Sequence, residues 1–402
     1  MRKILRDLTP FGRARQIMLG LSPGFVVEAL PIIDIAGLVL AEDIISDINV
    51  PPFSKSLKDG YAVHASDTKD ASSNPVSLVL KDYIPAGRGD SLSVNSGETY
   101  EISTGAPLPD GADAVVMVED TELKDGNVVV KKAVNREQNV LLAGADISSG
   151  KCVLNAGERL SPAKIGVLAA IGKSSAPIRI LRVGIIATGD ELTDPGTSLA
   201  EGSIYNTNTY TLSAAVRRLG ATPVSYGIVK DNRRVAEDVF LQALDECDIV
   251  LTTGSTSAGQ DDFMYDVIGQ YGRILVHGVN FKPGKPVIIA EADDIPVMGL
   301  PGNPTSALMI FNELVAELIC SGLGITVPFR KKVKGELMAD IYSDTRLDLY
   351  TVRLEGGSVY PADKTSAAIT TLADADGFIS IDPEVTFLPA GSKVEVTLFD
   401  DF

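Results

Sequence analysis

Ile249-Val250-Leu251-Thr252-Thr253-Gly254-Ser255-Thr256-Ser257-Ala258-Gly259-Gln260-Asp261-Asp262 is the stretch that decides how this chain is read. An apolar run ends in a turn of small, hydroxyl-bearing residues and glycine, and acidic residues follow. That order predicts a buried strand, a backbone-lined turn and the start of a helix, which together present several N–H groups to an anion. Asp262 could then bring a metal ion to that anion. The same alternation extends outward. Apolar strands are expected at 180–187, 224–229, 274–279, 287–290 and 297–300. Between them, Leu212, Ala215, Val216 and Leu219 share one helical face, as do Ala236, Val239, Phe240, Ala243 and Leu244. Leu308, Phe311, Val315, Leu318 and Ile319 line a last helix. Doubly apolar strands alternating with amphipathic helices predict an α/β region: a parallel sheet with helices on both faces.

The flanks differ in character. Residues 10–50 read as largely helical, then extended. Residues 53–140 carry short strands at 76–80, 100–102, 114–118 and 128–130, separated by Gly, Pro, Asp and Asn, an antiparallel β signature. Ser161-Pro162 opens a helix through Ile171, a Ser N-cap followed by Pro at the first helical position. After Pro328, strands at 331–337, 348–354, 378–381 and 393–397 suggest a small β-barrel. The expected divisions are 1–50 with 141–177, 51–140, 178–327 and 328–402.

At 402 residues the chain is long enough for two or three domains of about 150 residues each. Its net charge of -17 repels nucleic acid and anionic membrane surfaces, so neither is expected as a partner. An anion site must therefore be locally basic or assisted by a metal ion. Cys152, Cys247 and Cys320 lie far apart and form no ligand pair, which favours a reducing compartment. His64 and His277 are the only histidines, and a Ser-His-Asp triad or zinc site is not expected. No secretory leader and no apolar run of the ~18 residues that cross a membrane stands out. The expected location is the cytoplasm.

Ligands of open α/β sheets collect at the carboxyl ends of the strands. Three features fall there: Thr188-Gly189-Asp190-Glu191, the Thr253–Asp262 loop, and Pro301-Gly302-Asn303-Pro304-Thr305. Taken singly, each is ordinary turn or capping chemistry; taken together, three sequence-distant turns on one rim point to a site. Lys282-Pro283-Gly284-Lys285 adds two cations on a Pro-Gly turn, suited to an oxyanion. Glu191, Asp231 and Asp262 are candidate ligands for Mg²⁺, although a helix N-cap would equally explain Asp231. Asp59, Thr104 and Asp146 sit in further glycine-flanked turns, where plain turn-making competes with function.

These segments, in this order, resemble the molybdopterin molybdenumtransferase family (MoeA, and the E domain of gephyrin). The motifs are Asp59-Gly-Tyr-Ala-Val, Thr104-Gly-Ala-Pro-Leu-Pro, Gly144-Ala-Asp146-Ile, Thr188-Gly-Asp-Glu191-Leu, Thr253–Asp262, Lys282-Pro-Gly-Lys285-Pro and Leu300-Pro-Gly-Asn-Pro304. The resemblance spans nearly the whole chain. It implies an elongated helical region built from both sides of a β-rich insertion, a MogA-like molybdopterin-binding α/β domain and a C-terminal β-barrel. It also implies a homodimer whose active cleft lies between subunits. The implied reaction is Mg²⁺-dependent insertion of molybdate, or tungstate, into adenylylated molybdopterin with release of AMP, and a molybdopterin adenylyltransferase is a candidate partner. Asp59, Glu191, Lys282 and Lys285 would be catalytic. Thr104, Asp146, Gly254, Ser257, Gly259, Pro301 and Pro304 would hold the pterin substrate, and Asp231, Asp262 and Glu191 the metal. Other readings on the same fold are a non-catalytic molybdopterin-binding scaffold and a nucleotide pyrophosphatase. The chain departs from the family pattern at Ser54-Lys55-Ser56-Leu57-Lys58, usually nearer Asp-Asn-Ser-x-Met, at Ser255 and Gln260, and at Lys364-Thr365-Ser366-Ala367. Lys55 and Lys58 bring two extra cations beside Asp59, an arrangement that either strengthens oxyanion capture or marks a paralogue with altered chemistry.

Overall fold

The computed structural model describes residues 8–88, 91–254, 263–362 and 367–399. Its central element is a six-stranded sheet in the order Thr222–Val229, Arg182–Thr188, Ile249–Thr253, Ile295–Leu300, Ile288–Ala292, Arg273–His277. The apolar runs are continuous because both faces are covered. Val183, Ile185, Ile249, Leu251, Met298 and Leu300 enter one core. Their neighbours Ile186, Val250 and Val297 enter the other. Helices Asn208–Arg218 and Arg233–Glu246 match the expected amphipathic faces.

The expected parallel sheet is corrected at one edge. The first four strands are mutually parallel; Ile288–Ala292 runs against them, and Arg273–His277, antiparallel to Ile288–Ala292, returns to their direction. The reason is local. Only Asp293 and Asp294 join Ile288–Ala292 to Ile295–Leu300, both at positive φ. A two-residue link closes a hairpin and cannot make the crossover that parallel strands need. Two expected strands also divide. The run 180–187 breaks at Leu181, where Ser175–Ile180 joins a different, three-stranded sheet. The run 274–279 breaks at Gly278, and Val279–Lys282 pairs instead with Thr9–Pro10 and Leu347–Glu355.

Residues 60–130 form a second six-stranded sheet, antiparallel except where Val76–Ile84 lies parallel to Glu98–Ile102. The helical expectation for 10–50 and 141–177 narrows to two nine-residue helices, Phe11–Leu19 and Pro162–Ala170. Ser161 caps the second, accepting from the Lys164 N–H at 3.4 Å. Ile35, Leu40 and Ile44 pack with Ile147, Leu154, Leu160 and Ile178, so chain from both sides of the β-rich sheet shares one small core. Helix Phe11–Leu19 packs elsewhere: Ala14 and Met18 enter the α/β core, and Arg15 pairs with Glu317 at 2.6 Å. At the C-terminal end, Lys332–Leu337, Leu347–Glu355, Ser358–Pro361, Gly377–Ile381 and Lys393–Leu398 close on themselves as the expected β-barrel.

The helical run Pro304–Leu323 has the length and mean hydropathy to cross a membrane, a feature the sequence reading passed over, but 72% of its most apolar window is buried inside the protein. Met309, Ile310, Phe311, Leu314, Leu318 and Ile319 are fully covered. It is the core helix of the α/β region.

Candidate functional site

Parallel pairing puts the carboxyl ends of four strands, at Thr188, Val229, Thr253 and Leu300, on one edge. From strand Arg182–Thr188 the chain first crosses to Thr222–Val229 on one side and then to Ile249–Thr253 on the other. Between the latter and Arg182–Thr188 the strand order reverses, and such a reversal opens a crevice. A cavity of about 570 Å³ lies there. Its walls include Thr188, Glu191, Asn206, Asn208, Gly254 and Pro304.

The backbone holds this rim. The Gly254 N–H donates to the Leu300 carbonyl at 3.2 Å, and the Thr188 hydroxyl donates to the Thr253 carbonyl at 3.1 Å. Gly254 has φ +84°, and a Cβ there would lie 2.5 Å from the Thr188 carbonyl oxygen. Only glycine allows so close an approach without strain. Asp190 carries the next loop: its carboxylate accepts from the Asp231 N–H at 3.0 Å, and its carbonyl accepts from the Lys230 ammonium at 2.7 Å. Asn232, not Asp231, caps helix Arg233–Glu246, accepting from the Arg234 and Val235 N–H groups. Asp231 therefore stands on the rim without the capping role that competed for it.

The predicted residues divide. Glu191, Gly254 and Pro304 line the cavity, and Pro301 directly follows the strand end at Leu300. Asp262, Ser257 and Gly259 lie outside the described residues, as do Ser255, Gln260 and residues 364–366. Lys282 and Lys285 do not line this cavity. The Lys282 ammonium meets Asp348 of the barrel at 2.8 Å, and Asp348 also accepts from the Ser343 hydroxyl at 2.8 Å. Asp348 is 2% exposed and Lys282 30%. Beside them the Asp344 carboxyl sits below its ordinary range, chiefly because the Arg346 guanidinium donates to it; the Lys282 charge adds a smaller part. Lys285 is half-buried, and its carbonyl accepts from the Val279 and Val287 N–H groups.

Asp59, Thr104 and Asp146 lie away from this rim. The Asp59 carboxylate accepts from the Thr104 N–H at 2.8 Å. The Asp146 N–H donates to the Val50 carbonyl at 3.0 Å, and the Ala143 N–H to the Ser54 hydroxyl at 3.1 Å. The first bond ties Thr104 to Asp59, and the other two hold the Ala143–Asp146 turn against the chain that leads into the Lys55–Lys58 turn. Gly60 fixes the turn's exit, because a Cβ there would overlap the Val116 carbonyl oxygen at 1.9 Å. All three side chains are exposed.

Sequence reasoning missed the wall formed by Ile204, Tyr205, Asn206, Thr207 and Asn208. Ile204–Tyr205 pairs in parallel with Leu192–Thr193, which folds the segment over the rim. Asn208 is 6% exposed and donates to the Gly302 carbonyl at 2.8 Å, tying this wall to the proline-rich turn. The available signal was a run of polar capping residues before helix Asn208–Arg218. Ala367 and Ile369, from the segment leading back into the barrel, were missed as well.

Three family models match this chain: the MoeA N-terminal region (domains I and II) over residues 9–172, a probable molybdopterin binding domain over 184–320, and the MoeA C-terminal region (domain IV) over 334–399. A molybdopterin molybdenumtransferase 2 of Mycobacterium tuberculosis is 33% identical, with 91% of this chain and 94% of that protein covered. A molybdopterin molybdenumtransferase of Haemophilus influenzae is 33% identical over 90% of this chain and 93% of its own length. A crystal structure of a molybdopterin biosynthesis MoeA protein from Pyrococcus horikosii superposes with a TM-score of 0.83 at 35% identity, covering 98% of this chain and all of that one. Motifs, fold and full-length similarity agree: the chain belongs to the MoeA family of molybdopterin molybdenumtransferases, transferases of molybdenum-cofactor biosynthesis.

Proposed function

We propose that this protein inserts molybdate, or its near-isostere tungstate, into adenylylated molybdopterin in a Mg²⁺-dependent reaction that releases AMP. The observation that carries this reading is the cavity of about 570 Å³ at the strand-order reversal. All of its lining except Ala367 and Ile369 lies within the segment matching a probable molybdopterin binding domain, and its volume suits a small-molecule ligand. Thr188, Asn206, Asn208 and the Gly254 turn supply neutral polar contacts for a pterin, and Glu191 supplies a carboxylate at the wall. Among the described residues no group of three or more His, Cys, Asp or Glu side chains could hold a metal ion. Mg²⁺ needs only one or two protein carboxylates when water and phosphate oxygens complete its shell, so Glu191 and Asp231 fit it as donors. When bound, the ion would neutralise charge on the phosphoryl group. Lys282 and Lys285 are the proposed oxyanion-attracting cations, with Asp348 setting the position of the Lys282 ammonium.

The exposed Asp59 group completes the proposal through a second copy of the chain. In a homodimer with its cleft between subunits, Asp59, Thr104 and Asp146 of one copy would face the rim of the other. Lys55 and Lys58 would then raise the local positive potential beside Asp59, offsetting the net charge of -17. Three free cysteines, two of them buried, support a reducing, cytoplasmic setting.

The test is incubation with adenylylated molybdopterin, Mg²⁺ and each oxyanion in turn, following AMP release and metal incorporation together. The expected result is AMP release coupled to metal uptake. Tight pterin binding without AMP release would make the protein a scaffold. Cleavage of ordinary dinucleotides without metal uptake would make it a pyrophosphatase.

A further inference from the structure

Beyond strand Arg182–Thr188 the chain turns at Gly189, and Glu191 and Leu192 enter the cavity wall. The carbonyls of residues 190–193 take partners on alternate sides, as in an extended chain. The Glu191 carbonyl accepts from the Ile204 N–H at 2.8 Å, and the Thr193 carbonyl from the Asn206 N–H at 2.9 Å. Both donors belong to the segment folded over the rim. On the other side Leu192–Thr193 pairs with no second strand. There the Asp190 and Leu192 carbonyls both accept from one group, the Lys230 ammonium, at 2.7 and 2.9 Å. One side chain supplies what a neighbouring strand would otherwise give.

Sheet geometry puts Lys230 in reach. Strand Thr222–Val229 ends level with Thr188, and the Gly189 N–H donates to the Val229 carbonyl at 3.2 Å. Lys230 follows at once and reaches back across the rim. Asp190 returns the tie, its carboxylate accepting from the Asp231 N–H at 3.0 Å. Three hydrogen bonds therefore lock the turn carrying Glu191 to the turn carrying Asp231, and Lys230 makes two of them. A lysine that only dissolves a surface does not commit two of its three donors to backbone carbonyls. The Glu191 carboxylate has no such anchor of its own. Among the described residues it accepts no hydrogen bond. It lies over Gly189, where a Cβ would stand 2.5 Å from its Oε2. Its place in the wall depends on the backbone beneath it.

We propose that Lys230 is a positioning residue for the divalent ion: through the Asp190 and Leu192 carbonyls it holds Glu191 in place against Asp231, without touching substrate. The proposal rests on the reading of Glu191 and Asp231 as ion donors given above. A sign separates positioning from plain electrostatics. An ammonium beside a cation site repels the ion, so loss of its charge alone tightens binding. Loss of the backbone lock weakens binding, because a donor left free must be ordered when the ion arrives.

The experiment is titration of the full-length protein with Mn²⁺, which takes the same oxygen ligands as Mg²⁺, with the free ion read by electron paramagnetic resonance. Lys230→Met, without donors, should weaken Mn²⁺ roughly tenfold, and Glu191→Gln at least as much. Lys230→Arg should recover most of the loss, since its fork of donors can serve two carbonyls. Hydrogen exchange at the Ile204 amide should quicken in Lys230→Met while the urea unfolding midpoint stays in place. In the insertion reaction the same variant should raise half-saturating Mg²⁺ by more than it lowers the maximum rate. Mn²⁺ affinity unchanged or tighter in Lys230→Met, with Glu191→Gln weakened, overturns the proposal and leaves the metal reading standing. Unchanged affinity in Glu191→Gln removes that reading, and the proposal with it.

Discussion

The rim of the parallel strands and the turn around Asp59 use the same materials, glycine turns with acidic and hydroxyl side chains, yet they end differently. The rim closes a cavity within one chain, whereas Asp59, Thr104 and Asp146 lie exposed on a surface. The cause is strand direction. Parallel strands deliver all their carboxyl ends to one edge, so loops from residues 189, 230, 254 and 301 meet there whatever their sequence separation. An antiparallel sheet alternates its ends and spreads its turns over two edges. Parallel topology makes a pocket on its own; an antiparallel surface needs a cover, and a second copy of the chain is the cover we propose.

The sharpest way to break this contrast is at Gly254. Gly254→Val forces a side chain against the Thr188 carbonyl at positive φ. The expected loss is about 3 kcal/mol in urea unfolding, together with pterin binding. Asp59→Asn should do the reverse, leaving the unfolding midpoint in place while turnover falls roughly a hundredfold or more. If Asp59→Asn unfolds the protein, or leaves turnover unchanged, the surface is structural and the contrast fails. Mixing the two lesions tests the cover itself. Co-assembled Asp59→Asn and Glu191→Gln chains should recover about a quarter of normal activity, because half of the dimers are mixed and each of those keeps one intact site. No recovery in verified mixed dimers would place the site within one chain.

Smaller effects sharpen the picture at the edges of the two regions. Lys282→Ala leaves the buried Asp348 carboxylate with Ser343 alone, for an expected loss of about 2 kcal/mol by chemical denaturation. Lys282→Met with Asp348→Leu should restore much of it, since removing both charges avoids the unpaired one. The smallest effect is expected at Glu158, whose pKa is held down to about 2, mainly by the Lys164 ammonium and then by Asn155. A depressed carboxyl pKa contributes stability above the unfolded value near 4.3, lost as pH falls through about 2. Glu158→Gln should flatten the acid limb of the stability curve in that window, lowering stability slightly at neutral pH and leaving it unchanged below about pH 2.

Much of the architecture was legible in the residues. Runs such as Ile249–Thr253 announce a strand buried on both faces, and Leu212, Ala215, Val216 and Leu219 announce a helix, because burial imposes period two or 3.6 on adjacent residues. The positions of Glu191, Gly254 and Pro304 followed from placing turns at strand ends. The Tyr205–Asn208 wall did not, because its presence at the cavity depends on a two-residue parallel pairing with Leu192–Thr193. Nor did the Lys282–Asp348 pair, whose members are joined by a strand pairing between the α/β region and the barrel.

The sequence by itself determined the alternation of strand and helix, the barrel at the C-terminal end, the glycine turns and the family. Tertiary structure alone decided that strand Ile288–Ala292 runs against the other five, that Lys282 is engaged by a buried carboxylate, and that Asp59 and Glu191 lie apart in one chain. The physical reason is range. Periodicity and turn chemistry act between neighbours a few residues apart, whereas register, loop closure and charge pairing act between residues that only the folded chain brings together.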